Sequence, residues 1–143
     1  MKKSFLMLII LLILTGCTVV RIDTSSIDNI TKVVLSKKNT LYNRVGRGYK
    51  YYVPRGVTYI DSSGSNDKLY SGGVYYYLYL DEISYYYKRS VVFKKNPSKY
   101  YSEKIKVNKK IGYLEITEKN GLYLIEFVYN YAKIETMVPK KEI

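Results

Sequence analysis

The chain has 143 residues, enough for one domain with a modest core, and carries 24 Lys and Arg against 12 Asp and Glu, a formal net charge of +12. It has no histidine and a single cysteine, which excludes His-based catalytic triads, His-ligated zinc, an internal disulfide and a paired-cysteine redox site. Tyrosine supplies 19 positions, so much of the apolar character comes from rings whose hydroxyls need hydrogen-bond partners.

Residues 1–16 have the pattern of a secretory leader. Lys2 and Lys3 form a short positive region, and an uninterrupted apolar run follows from Phe5 to Leu14. A transmembrane helix needs about twenty apolar residues, so this shorter run matches the apolar core of a signal peptide instead.

The run ends in Leu14, Thr15, Gly16 and Cys17. This ending resembles the bacterial lipobox, which consists of an aliphatic residue, two small residues and a cysteine. The resemblance implies a bacterial lipoprotein precursor that is cut between Gly16 and Cys17 and lipidated on the Cys17 thiol. Two or three acyl chains hold a protein firmly on a membrane, so the predicted location is the extracytoplasmic face of a cell membrane. The alternative is an ordinary leader or a short membrane anchor with an incidental cysteine.

The anionic partners available to this positively charged protein depend on its cellular compartment. In a cytosolic protein such a charge would indicate nucleic acid. For an exported protein we expect no nucleic acid, and we expect anionic lipid, a cell-wall polymer or another envelope protein. Residues 17–23 form a short tether, so the domain predicted over 24–143 should lie close to the bilayer.

That domain is predicted to begin with one amphipathic helix over residues 24–38, because Ile27, Ile30 and Val34 recur at helical spacing. From Leu41 onward the pattern is β. Short strands are predicted at 49–53, 57–61 and 85–93, with a turn at 62–66 and a basic loop at 94–104.

The longest predicted strand runs from Val74 to Leu80, directly after two glycines. Its residues alternate between an apolar set and a tyrosine set, as expected when successive side chains point to opposite faces of a sheet. The apolar set is Val74, Tyr76, Leu78 and Leu80, and the tyrosine set is Tyr75, Tyr77 and Tyr79.

A three-stranded meander is predicted over residues 111–117, 122–129 and 132–138. Asn120-Gly121 is the strongest short hairpin signal, and a second tight turn is predicted at Asn130-Tyr131. Counting outward from these turns pairs Ile116 with Ile125, Leu114 with Phe127, Phe127 with Ile134, and Ile125 with Thr136.

The same register places Glu115 opposite Glu126 and Glu126 opposite Glu135. Like charges directly opposite each other are destabilising, so something should compensate them. A hard cation such as Ca²⁺, proton sharing between carboxylates, and neutralisation by lysines such as Lys133 and Lys119 are the three interpretations.

Tyr75, Tyr77 and Tyr79, with Tyr85 to Tyr87 close by in sequence, form a candidate ligand surface. Stacked tyrosines beside lysines suit sugar rings or an extended peptide. The alternative is a second packed face under the N-terminal helix.

The short strands and the closing strand over 132–138 resemble bacterial SH3-like modules, which are small barrels that often bind cell-wall peptides. The Gly-Trp that such modules usually carry near the last strand is absent, since the chain has no Trp. The predicted fold is therefore α+β and mostly β, with one N-terminal helix followed by a small antiparallel sheet or an SH3-like, partly open barrel.

The leading functional prediction is a non-enzymatic envelope lipoprotein without catalytic residues, cofactor or resident metal, which binds or scaffolds a wall polymer or partner protein. A second interpretation is an accessory subunit of a membrane protein complex. A third is a carboxylate-based hydrolase built on Glu115, Glu126 and Glu135.

Overall fold

A computed structural model describes residues 27–36, 41–46, 49–64, 66–107 and 109–143. The predicted leader, Cys17 and the tether at 17–23 lie outside these residues, so cleavage and lipidation stay predictions. The chain divides into two compact units, Met1–Asn39 and Thr40–Ile143.

The first unit contains helix α1 (Ile27–Ser36). It lies within the predicted span of 24–38, whose two ends are not among the described residues. Ile27 and Ile30 are half-buried, whereas Val34 is exposed, so the predicted stripe is only partly covered. In the described part of the chain, no helix has the length and hydropathy needed to cross a membrane.

The second unit is mostly β. Its described residues form a two-stranded and a seven-stranded sheet, both antiparallel, together with one short α-helix and a closing 3₁₀ turn (Lys140–Glu142). The elements are β1 (Arg44–Val45), β2 (Lys50–Tyr51), β3 (Thr58–Ser63), β4 (Asn66–Ser71), β5 (Val74–Leu80), α2 (Glu82–Tyr86), β6 (Tyr101–Val107), β7 (Lys110–Lys119), β8 (Leu122–Tyr129) and β9 (Ala132–Pro139).

The strand order in the large sheet is β3-β4-β5-β9-β8-β7-β6. Two meanders, β3 to β5 and β6 to β9, join where β5 pairs with β9. The protein is mostly β as predicted, and its sheet is not closed into a barrel. Of the two predicted arrangements, the antiparallel sheet is therefore the one observed.

The turns of the second meander set its register. Asn120 and Gly121 have φ values of 54° and 77°, and Asn130 and Tyr131 have φ values of 51° and 68°. Two successive residues with positive φ make the hairpin turn whose twist matches paired strands. All the predicted pairs follow, including Phe127 with Ile134, so the predicted meander is confirmed.

The large sheet has two different faces. On the first, here called the core face, alternate residues of the strands are buried. The opposite face, here called the polar face, carries the tyrosines of β5 and the glutamates of β7, β8 and β9. The buried apolar residues of the core face are Leu69, Ile105, Leu114, Ile116, Tyr123 and Val138.

The predicted strand over 85–93 is wrong. The Asp81 carboxylate accepts a hydrogen bond from the Ser84 amide at 2.8 Å, which caps the start of α2, and residues 89–100 form no regular element. A local cap therefore overrides the preference of consecutive tyrosines for strands.

Other predicted boundaries also change. The basic loop ends at Tyr100, because Tyr101–Val107 is strand β6. β4 has no counterpart among the predicted strands, and β2 covers only two of the residues predicted over 49–53. Polar residues in β4 hide the alternation that identifies a half-buried strand.

Candidate functional site

The two features singled out in the sequence lie on one face of one sheet. Glu115 pairs with Glu126, and Glu126 pairs with Glu135, so the predicted carboxylate row is confirmed. The pairing of β5 with β9 then places Tyr77 directly opposite Glu135, and Lys68 of β4 lies opposite Tyr77. The row is therefore continuous from β4 to β7 and joins the tyrosine stripe to the carboxylates.

Lysines compensate the charge of the row. Lys99 forms an ion pair with Glu115 and lies 3.8 Å from Glu126, and Lys133 lies 2.8 Å from Glu135. The hydrogen bond to Glu115 raises the pKa of Lys99, although burial opposes the shift. The prediction that lysines neutralise the row is confirmed at Lys133. Lys99, which sequence reasoning did not single out, provides the other contacts from the loop before β6.

The other two interpretations of the row receive no support from its contacts. Ser102 donates a hydrogen bond to Glu115 at 2.9 Å, and none of the buried side-chain nitrogens and oxygens described lacks a partner. Among the residues described there is also no group of three or more Asp, Glu, Cys or His placed to hold a metal ion. The contacts shown for the row are those of Lys99, Lys133, Ser102 and Tyr79.

Glu135 connects the carboxylates to the tyrosines. It accepts a hydrogen bond from the Tyr79 hydroxyl at 2.9 Å. Burial disfavours its charged form, yet the hydrogen bonds from Lys133 and Tyr79 and the charge of Lys119 hold the pKa of Glu135 below its usual value. Burial and the bond to Glu135 in turn raise the pKa of the Tyr79 phenol. Glu135 is thus held as a carboxylate at neutral pH.

The tyrosine stripe divides into two parts. Tyr79 is half-buried, with the Lys133 ammonium 4.5 Å from its ring centroid. Tyr75 and Tyr77 keep 45% and 38% of their surface exposed. The exposed part of the stripe is therefore the end near the start of β5.

Lys68 organises that exposed end. Its ammonium lies 4.2 Å from the Tyr75 ring centroid and 5.8 Å from that of Tyr77, within the range of cation–π attraction. Tyr70 also packs against Tyr75, with ring centroids 5.1 Å apart and ring planes tilted by 51°. We call Lys68, Tyr70, Tyr75 and Tyr77 the tyrosine–lysine patch. It offers phenol hydroxyls and one ammonium as hydrogen-bond donors on an open surface.

Tyr85 to Tyr87 do not extend this patch. They lie on α2 and the turn after it, beyond the end of β5. Tyr85 packs edge-on against Tyr131, with ring centroids 5.7 Å apart. The tyrosines grouped by sequence therefore form two separate surfaces.

A buried carboxylate on the core face was missed by sequence reasoning. Asp67 of β4 is 5% exposed and accepts hydrogen bonds from the hydroxyls of Tyr49 at 3.0 Å and Tyr51 at 2.6 Å. Burial and the bond to Asp67 raise the pKa of Tyr49 to about 12 and also raise that of Tyr51. Asp67 therefore ties the segment around β2 to the large sheet and has a structural role.

The chain matches no protein-family model, no curated protein and no solved structure. The function proposed below consequently rests on the residues and contacts of this chain.

Proposed function

We propose that the protein is a lipid-anchored, extracytoplasmic binding protein of a bacterial cell envelope, whose tyrosine–lysine patch takes an anionic cell-wall polymer. The leader and the lipobox-like ending at Cys17 support the anchor. Basic residues outnumber acidic ones two to one, 24 against 12, which supports an anionic ligand.

The observation that carries the proposal is the exposure of Tyr75 and Tyr77 beside the Lys68 ammonium. Exposed aromatic groups that form a cluster on a folded protein are typical of interaction surfaces, whereas single ones are not. Here a cross-strand pair, Tyr70 with Tyr75, and a cation–π contact hold the rings in place before any ligand arrives. A preformed surface loses little conformational freedom on binding.

The chemistry of the patch favours a polymer with both sugar rings and negative charge. Tyrosine rings contact the apolar faces of sugars, and their hydroxyls donate hydrogen bonds. The Lys68 ammonium supplies a positive charge for phosphate or carboxylate groups. Lys99 and Lys133 form ion pairs with the three glutamates farther along the row, which reduces the repulsion of an anionic ligand.

Removing the patch is expected to weaken retention on purified cell-wall material. The triple change Lys68→Met, Tyr75→Ser and Tyr77→Ser removes the charge and both exposed rings, and we expect retention to fall at least about tenfold, a loss of about 1.4 kcal/mol. Retention is measured by co-sedimentation of the purified protein with wall fragments.

Tyr42 and Lys50 provide a matched control, because the Lys50 ammonium lies 4.4 Å from the exposed Tyr42 ring near β1 and β2, outside the patch. The double variant Tyr42→Ser and Lys50→Met should be retained like the parent. Equal retention of the parent and the triple variant would contradict the proposal.

An accessory subunit of a membrane complex is the second candidate function. It is favoured by β3, an edge strand of the large sheet whose residues are mostly exposed, because such an edge can pair with a strand of another protein. Co-purification of specific membrane proteins with the parent, together with no retention on wall material, would favour this function over the first.

A further inference from the structure

We propose that the segment 83–95 contacts the anionic surface of the bilayer and fixes the orientation of the anchored domain. This inference rests on the proposed function, since it requires a membrane-anchored protein. It assigns a role to α2 and the irregular chain after it, which the tyrosine–lysine patch does not use.

The first observation is the exposure of large apolar groups. Tyr86 is 78% exposed and Val92 is 92% exposed, and Ile83, Tyr85 and Tyr87 are exposed to a similar degree as Tyr86. Five exposed apolar or aromatic side chains within ten positions form a patch whose contact with water is unfavourable. Tyrosine is enriched at the membrane–water interface, where the ring lies among the head groups and the hydroxyl remains in water.

The second observation is the charge of the same segment. Residues 83–95 contain Lys88, Arg89, Lys94 and Lys95 and no acidic residue. Lys95 pairs with Glu103, and Asp81 and Glu82 lie directly before the segment, so the remaining excess of positive charge is small. Basic residues beside exposed aromatic groups suit a membrane surface, because they attract its anionic head groups. A partner protein with a neutral surface would offer no opposite charge to these residues.

The third observation is that the apolar and basic groups share one folded surface. Backbone hydrogen bonds from Tyr87 to Ile83 and from Arg89 to Ser84, at 3.0 and 2.9 Å, close the turn after α2. Ser84, Arg89 and Val92 line the same groove. The Arg89 guanidinium lies 5.3 Å from the Tyr87 ring centroid. Tyr86 in turn packs against Tyr87, with ring centroids 5.2 Å apart, and lines an adjoining groove. Tyr86, Tyr87, Arg89 and Val92 therefore lie on adjoining parts of one surface.

A single tryptophan reports on this contact without background, because the chain has none. The Tyr86→Trp variant is purified with its lipid and reconstituted into vesicles of phosphatidylglycerol and phosphatidylcholine, with and without brominated acyl chains. We expect brominated lipid to quench about half of the indole emission, and we expect less quenching in vesicles of phosphatidylcholine alone.

The matched control is Tyr70→Trp, since Tyr70 pairs with Tyr75 near the start of β5, whereas α2 follows its end. We expect its emission to be hardly quenched. Equal quenching in the two variants, in protein that floats with the vesicles, would overturn this inference and leave the anchor standing. Protein that does not float with vesicles would overturn the anchor as well.

A second variant tests whether the apolar side chains of segment 83–95 make the contact with the bilayer. Adding Ile83→Asn and Val92→Asn to Tyr86→Trp should reduce the quenching at least about twofold, because both side chains would leave the interface. Unchanged quenching would contradict the proposed contact. Circular dichroism checks that the fold of the variant matches that of the parent.

Discussion

Replacing Cys17 by alanine is expected to release the protein from firm membrane attachment and to change its mass. The thiol that would carry the diacylglyceryl group is lost, and with it the site at which the leader would be cut. The remaining apolar run from Phe5 to Leu14 is about half the length that a membrane-spanning helix needs. Without acyl chains, the expected attachment is weak and reversible.

The measurement is the fraction of protein that stays with washed membranes, together with the intact mass. The parent should resist an alkaline carbonate wash and be extracted by detergent alone, whereas Cys17→Ala should be largely removed by the wash. Thr18→Ala, a change at the neighbouring position, is the control and should behave like the parent. An unchanged mass and an unchanged attachment in Cys17→Ala would contradict the lipid anchor.

Replacing Asp67 by alanine is expected to destabilise the protein by about 2–4 kcal/mol. Asp67 is buried and accepts hydrogen bonds from Tyr49 and Tyr51, so its removal leaves two partly buried hydroxyls without their acceptor. The free energy of unfolding is measured in urea. Tyr51→Phe, which removes a single donor, should cost only about 1 kcal/mol. A loss below about 0.5 kcal/mol in Asp67→Ala would contradict the structural role of this carboxylate.

The pH dependence of the unfolding free energy tests whether the contact between Tyr49 and Asp67 causes this stabilisation. The pKa of Tyr49 is about 12 in the folded protein against an ordinary value of 10.0. The stabilisation linked to this shift is complete below pH 10 and is lost as the pH rises toward 12. The unfolding free energy of the parent should therefore decrease as the pH rises from 10 toward 12. That of Asp67→Ala should decrease less steeply, because the hydrogen bond and the negative charge that Asp67 contributes to the shift are gone.

Local signals explain which parts of the fold were predictable. Asn120-Gly121 and the alternation on both sides of it determine one hairpin and its register. The turn at Asn130-Tyr131 then extends the register to β9, which is how the row of Glu115, Glu126 and Glu135 follows from counting alone.

Long-range contacts explain what was missed. The β5–β9 pairing joins Tyr77 to Glu135 across more than fifty intervening residues, and no local pattern indicates which edges of two meanders will meet. Lys99 reaches the row from an irregular loop, where sequence periodicity gives no position. The cap at Asp81 is a local signal for α2, but the tyrosines that follow it favoured a strand.

The most direct test of the proposed ligand surface is chemical modification of individual tyrosines in the presence of wall material. Tetranitromethane nitrates accessible tyrosine rings, and fragment masses give the rate at each position. We predict that purified wall polymer slows the nitration of Tyr75 and Tyr77, which are exposed in the free protein, and leaves that of Tyr42 unchanged. Nitration of Tyr75 and Tyr77 at the same rate with and without the polymer would contradict the account.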